Sequence, residues 1–275
     1  MSLFIASLNS GSNGNCYYVG NQNEAVLIDA GISCKEIEMR VLRLGLSLKK
    51  VKAVFISHEH ADHIKGVEVF SKKHQLPVYV TDATRKQGRI KLETALSKSF
   101  NTTTPTKVGN LVVTAFSKLH DAADPYSFTI SCNEITIGVF TDIGTPCQQL
   151  INHFKQCHAA FLEANYDDEM LDNGGYPYYL KSRIRGGHGH LSNKQALELF
   201  TAHRPDFMSH VILSHLSKNN NCPKLAGDLF NQHANGVQVI VASRFKETML
   251  FEINGGKQIA ENKHLKAFQM AFSFG

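Results

Sequence analysis

A chain of 275 residues, 43 % hydrophobic and 19 % charged, can bury a sizeable core, and no apolar run approaches the ~20 residues of a membrane span. A formal net charge of +5 is compatible with a polyanionic substrate but assigns none. Cys16, Cys34, Cys132, Cys147, Cys157 and Cys222 lack CxxC spacing, which argues against a zinc ribbon or disulfide framework; with no basic leader segment at Met1–Ala6, they imply the cytoplasm.

In chain order, strand patterns cover about 3–8, 15–20, 25–29 and 51–57, then 77–81, 111–116, 127–131 and 135–140, and finally 159–163, 208–214, 237–242 and 247–253. Helical patterns fit about 33–44, 62–74, 84–98, 146–157, 192–203, 224–234 and 261–270. The early strands follow one another through polar turns such as Asn9–Gly14, and the later ones alternate with helices. That order predicts a mixed α/β (α+β) fold with helices outside the sheets. No repeat or Pro/Gly linker divides the chain, so residues 1–275 read as one domain. Ser192 and Gln195 form a capping-box pattern, which marks a helix start just after His190.

The densest chemistry lies between His58 and His63, where the chain reads His-Glu-His-Ala-Asp-His. The run follows the apolar segment Val51–Ser57, so a buried strand would present His58, His60, Asp62 and His63 at one rim of a sheet. Imidazole and carboxylate are natural ligands of Zn²⁺ and similar divalent ions. A two-metal site needs further ligands, and three strand ends carry them: His120, Asp142 and His215. Each alone could be an ordinary turn residue; their joint occurrence points to a shared centre. Asp29, closing Val26-Leu-Ile-Asp29, reads either as an acceptor that fixes the tautomer of a ligand imidazole or as a turn-capping residue.

These residues, with Leu27–Gly31, Thr141-Asp142 and Ser214-His215, resemble the metallo-β-lactamase superfamily in the family's order. The resemblance implies a four-layer αββα sandwich and a binuclear site at one edge. One metal would be held by His58, His60 and His120, the second by Asp62, His63 and His215, with Asp142 bridging. No Cys stands at His120 or Asp142, unlike the lactamase branch that uses a Cys ligand. His60, where the diiron oxygen- and nitric-oxide-reducing branch has an acid, argues against that branch.

The segments Thr141–Cys147, Phe161–Tyr166, Gly189–Asn193 and Ser214–Ser217 are similar to those of nucleic-acid-processing phosphodiesterases such as tRNase Z. The 22 residues from His120 to Asp142 are too few for a tRNase Z arm. The 73 from Asp142 to His215 are too few for a β-CASP insertion. Ser7–Cys16, His120–Phe128 and Leu213–Asn220 most resemble the compact WalJ/YycJ family, which implies 5′→3′ exonuclease action on DNA and a role in repair or replication.

Two cations ~3.5–4 Å apart would activate a bridging hydroxide and clamp the phosphate. Zn²⁺, Mn²⁺ and Fe²⁺ all suit such ligands. Asp62 is expected to orient the hydroxide as well as ligate. His190, beside a helix N-terminus and not needed as a ligand, is assigned as general acid, with Glu163 holding its ring; the other reading of His190 is a surface histidine on a Gly-rich loop. For nucleic acid, Lys181, Arg183 and Arg185 would share one side of an extended segment, with Tyr178 among three tyrosines able to stack bases; in a helix they spread over a wider arc. A solvated basic edge is the alternative there. The competing function is a small-molecule metallo-hydrolase, thioesterase- or lactamase-like, using the same centre.

Overall fold

The computed structural model describes residues 2–255. Its first half contains strands β1 (Leu3–Asn9), β2 (Cys16–Gly20), β3 (Ala25–Ile28), helix α1 (Cys34–Arg43), β4 (Val51–Phe55), α2 (Ala61–Ile64), α3 (Val67–His74), β5 (Val78–Tyr79), α4 (Asp82–Gln87) and β6 (Ser97–Lys98). There follow β7 (Thr106–Val108), β8 (Leu111–Ser117), β9 (Tyr126–Cys132), β10 (Ile135–Phe140), α5 (Gln148–Phe154) and β11 (Ala159–Glu163). The chain continues with α6 (Asp168–Asn173), α7 (Tyr178–Arg185), α8 (Asn193–His203), β12 (His210–Ser214), α9 (Pro223–Asn231), β13 (Gln238–Val241) and β14 (Phe251–Ile253).

These strands form two seven-stranded sheets, ordered β14-β1-β2-β3-β4-β5-β6 and β13-β12-β11-β10-β9-β8-β7. Apolar residues on alternate positions seal the two together. Ile5, Val26, Ile28 and Phe55 of one sheet share a core with Val113, Ile130, Ile137 and Phe161 of the other. The opposite faces take helices: Ile37, Val41 and Phe70 pack beneath the first sheet, and Leu150, Phe154, Phe200 and Phe230 cover the second. The result is the expected αββα sandwich. The strand run 51–57 stops at Phe55, and the helix expected at 261–270 lies outside the described residues.

Two expected helices are corrected. The 62–74 helix is split into α2 and α3 at Gly66, whose N–H donates to the Ala30 carbonyl at 2.8 Å. A Cβ there would stand 2.0 Å from the Ile32 carbonyl oxygen, so only glycine fits the approach. The 84–98 helix ends at Gln87, because Arg89 turns left-handed (φ 51°), and the chain then becomes β6. Three-dimensional context also makes 178–185 a helix, α7, in place of the extended alternative; none of its residues is buried.

Strand direction gathers the chemistry. β3 and β4 run parallel, as do β10, β11 and β12; β8 and β10 both pair antiparallel with β9 and so point the same way. The C-terminal ends of β3, β4, β8, β10, β11 and β12 therefore deliver Asp29, His58, His120, Asp142, Glu163 and His215 to one rim. Asp29, Asp142 and His215 leave their strands in the left-handed region at φ 62°, 57° and 57°. Such backbone costs about 1–3 kcal/mol per residue and clusters at functional sites.

Candidate metal centre

Two groups of donor atoms converge on this rim. His58, His60 and His120 bring nitrogens that lie within 4.8 Å of one another, and so do the donors of Asp62, His63 and His215. In the first group His60 Nδ1 is 3.1 Å from His58 Nε2 and 3.4 Å from His120 Nε2. In the second, Asp62 Oδ2 is 3.3 Å from His215 Nε2 and 3.6 Å from His63 Nε2. Asp142 stands between them: Oδ2 is 3.2 Å from His63 Nε2, and Oδ1 is 3.8 Å from His120 Nε2. The seven side chains expected as ligands are thus assembled in one place.

The far nitrogen of each buried ring is anchored, which fixes its tautomer. His63 Nδ1 donates to Asp29 Oδ2 at 2.7 Å, and His58 Nδ1 donates to Ser57 Oγ at 2.9 Å. His120 Nδ1 donates to the Gly189 carbonyl at 3.0 Å, and His215 Nδ1 to Glu163 Oε1 at 3.0 Å. Each of these rings consequently turns Nε2 toward the centre, where its lone pair is available to a cation once the ring is neutral. Asp142 is buried, and among the described residues its Oδ2 makes no hydrogen bond of acceptable geometry despite the nearby imidazole. An orphaned buried carboxylate oxygen is costly unless something else satisfies it. Converging lone pairs and an unsatisfied oxygen are what a cation requires, so the residues fit divalent metals.

Charge follows the same arrangement. Burial would raise the Asp142 carboxyl, but His215, His63 and Lys118 hold it well below the usual carboxylate range. Burial would lower the His63 imidazolium, yet Asp142, Asp29 and Asp62 raise its pKa to about 10 in the metal-free protein. His120 goes the other way, to about 4, because burial and Lys118 outweigh Asp142. Glu163 is held at about 2: burial opposes ionisation, while the charge and hydrogen bonds of His190 and His215 overcome it.

His190 stands at the edge of this cluster, 22 % exposed, with Nδ1 2.8 Å from Glu163 Oε1. Glu163 Oε2 accepts from the backbone N–H of Ile143 and Leu191 at 2.7 and 3.2 Å, so the carboxylate cannot swing away. The capping box of Ser192 and Gln195 forms as expected and fixes the start of α8.

Several site residues escaped sequence reasoning. Asn15 Nδ2 reaches Asp62 Oδ2 at 3.2 Å and His63 Nε2 at 3.1 Å; Ser57 Oγ also donates to Asp29 Oδ2 at 2.8 Å. Asn165 Nδ2 donates to the His215 carbonyl at 2.8 Å, and the buried Lys118 Nζ donates to the Thr141 carbonyl at 2.7 Å. Asn15 and Asn165 fall within motifs already noted, which was the available signal. Lys118 carried none, because a lysine just past the end of a strand is ordinarily solvated.

The basic stretch is placed differently. α7 docks beside the centre, with the His190 N–H bonded to the Ile184 carbonyl at 2.9 Å. Its cations are engaged: Arg183 with Asp121, Arg185 with Asp172, and Lys181 with the Asp172 carbonyl. Tyr178 and Tyr179 remain 86 % and 73 % exposed. A separate trio, Cys34, Glu38 and His74, also brings donors together, but Lys73 Nζ lies 2.7 Å from Glu38 and already supplies the cation.

This fold and rim of ligands define a metal-dependent hydrolase. The model for the beta-lactamase superfamily domain matches residues 24–216, and the chain belongs to that superfamily. It is 34 % identical over 231 residues to exodeoxyribonuclease YycJ of Bacillus anthracis, covering 82 % of this chain and 87 % of the relative. Exodeoxyribonuclease WalJ of Streptococcus pneumoniae is 30 % identical over 224 residues, or 80 % and 83 % of the two chains. Among solved structures, the metallo-beta-lactamase fold protein YhfI from Bacillus subtilis superposes with a TM-score of 0.69 at 16 % identity, covering 92 % of this chain and all of that one.

Proposed function

We propose that this chain is a binuclear-metal DNA exonuclease that removes nucleotides in the 5′→3′ direction. The observation that carries the reading is the pair of donor triads, with Asp142 between them and the Glu163-anchored His190 alongside. The exodeoxyribonuclease relatives support the substrate class.

His58, His60 and His120 would hold one cation, Asp62, His63 and His215 the other, and Asp142 both. Bound there, two divalent ions (Zn²⁺ or Mn²⁺, with Fe²⁺ also suited) would supply Lewis acidity to the phosphate and lower the pKa of a water. The chain's own residues do the rest. Asp62, half-buried beside His63 and His215, orients the attacking water through its carboxylate. Departure of the sugar oxygen requires a proton. His190 is suited to give it from Nε2, because Glu163 occupies Nδ1 and fixes the orientation of the ring. Tyr178 on α7 is available to stack a base, and Lys181, bonded to a backbone carbonyl, lends that edge positive charge, whereas Arg183 and Arg185 would reach a phosphate only by exchanging Asp121 and Asp172 for it. Six unpaired cysteines favour a reducing compartment, in keeping with a cytoplasmic DNA-processing role.

The test uses 5′-phosphorylated, 3′-labelled DNA, single- and double-stranded, across a Zn²⁺, Mn²⁺ and Fe²⁺ panel. Release of mononucleotides from the 5′ end is expected. Distributive internal cuts, or preferential cleavage of RNA, would overturn the exonuclease or the DNA assignment respectively.

A further inference from the structure

Seven of the eight arginines have an evident place. Arg40, Arg43, Arg85, Arg183 and Arg185 pair with Glu36, Glu247, Asp82, Asp121 and Asp172. Arg204 covers the Phe200 ring at 4.4 Å, and Arg89 is exposed to water. Arg244 is different. It is half-buried, and among the described residues its guanidinium meets no carboxylate; its hydrogen bond is from Nη2 to Ser12 Oγ at 3.3 Å. Burial pushes this guanidinium's pKa down, with only the Tyr176 phenol opposing. Partial desolvation of a cation without a counter-charge is unfavourable, and an anion there would relieve it.

Among the described residues, the surroundings offer more donors and no competing acid. The loop joining β1 to β2 is tied to Arg244 from below, since Asn13 Nδ2 donates to the Arg244 carbonyl at 2.8 Å. The N–H groups of Ser12 and Asn13 donate to no described group, and both residues are exposed. The same loop abuts the metal centre. Ser10 Oγ accepts from the His215 N–H at 2.7 Å, and Asn15 touches Asp62 and His63. A Cβ on Gly11 would stand 2.9 Å from Arg244 Nη2 and 3.4 Å from the Leu216 carbonyl oxygen, which sets the guanidinium beside the residue that follows His215.

We propose that Arg244, with Ser12 Oγ and the N–H groups of Ser12 and Asn13, binds a phosphate of the substrate strand next to the one being cleaved. The planar guanidinium fork and adjacent N–H groups match phosphate oxygens. The ligand is an internal phosphodiester or a terminal phosphomonoester of a nucleic acid, and the inference rests on the nuclease reading above.

The experiment compares the parent with Arg244→Gln and Arg244→Lys, on DNA carrying either a 5′-phosphate or a 5′-hydroxyl. Circular dichroism and metal content are checked for each. Arg244→Gln should raise KM for DNA about tenfold while kcat changes by less than about twofold, and should flatten the salt dependence of binding by about one phosphate contact. Arg244→Lys should recover part of the affinity. A loss confined to 5′-phosphorylated ends identifies the terminal phosphate; an equal loss on both identifies an internal one. Unchanged KM and salt slope in Arg244→Gln, or a fall in kcat alone, would remove the subsite and leave the nuclease reading intact. A parent that hydrolyses bis-p-nitrophenyl phosphate but no nucleic acid would remove both.

Discussion

His63 Nδ1 lies 2.7 Å from Asp29 Oδ2, and both side chains are shut off from solvent. Asp29 directly follows β3 and His63 lies in α2, so the contact ties two elements together and turns the imidazole toward Asp62 and Asp142. Asp29 also accepts from the Ser57 N–H and hydroxyl, each at 2.8 Å, which leaves it no freedom to rotate.

Asp29→Asn should therefore fold, since asparagine tolerates the left-handed backbone at φ 62°. It should lower metal affinity roughly 10–100-fold by weakening the hold on the His63 tautomer. Competition titration with a chromogenic chelator measures this; affinity equal to the parent's would show that Asp29 only shapes the turn.

Metal uptake should expel protons. In the metal-free protein the His63 pKa is raised to about 10, so its ring is protonated at neutral pH and Nε2 is occupied. A pKa raised above its unfolded value of about 6.5 stabilises the metal-free fold below pH 6.5, and that contribution fades as pH rises toward 10. Metal binding runs oppositely, gaining up to roughly tenfold in affinity per pH unit over the same window. Calorimetry in buffers of different ionisation enthalpy should register the released protons, and chelation should lower Tm more at pH 9 than at pH 6.5.

Removing a ligand should be harsher than removing its support. His120→Ala empties one corner of the first triad, and phosphodiesterase turnover should drop by more than about a hundredfold, beyond the loss expected for a supporting residue. Activity near the parent's across the metal panel would contradict the assigned role.

His190→Ala should leave metal content unchanged and lower kcat on DNA about 10²–10⁴-fold. Bis-p-nitrophenyl phosphate, whose leaving group needs no proton, should suffer far less. Equal losses on both substrates would mean that His190 shapes the site and does not protonate the leaving oxygen. Glu163→Gln should reproduce the DNA effect in weaker form, with some loss of metal as well, because Glu163 also anchors His215.

Gly31→Ala probes the close approach behind the centre. A Cβ at Gly31 would fall 1.7 Å from the Asp62 carbonyl oxygen, while the Gly31 N–H already bonds to the Asn15 carbonyl at 2.8 Å. Something must shift, so stability should fall by about 1–3 kcal/mol, and metal affinity with it. Denaturant unfolding of the metal-free protein isolates the first effect.

The amino-acid sequence alone determines whatever is encoded locally. Alternating apolar runs gave the strands, the Ser192–Gln195 pair gave a helix start, and His58–His63 packs four donors into one loop. Strand ends carrying His120, Asp142 and His215 were visible one at a time because each breaks an apolar run at a polar residue. Tertiary structure decided what depends on distant neighbours: the break at Gly66 forced by the Ile32 carbonyl, the helix at 178–185, and the acids that neutralise Arg183 and Arg185. It also decided the support of Asn15, Ser57, Lys118 and Asn165, and the isolation of Arg244. Hydrophobic periodicity is a short-range signal, whereas hydrogen-bond satisfaction and charge pairing are settled only when segments hundreds of residues apart come to share a boundary with water.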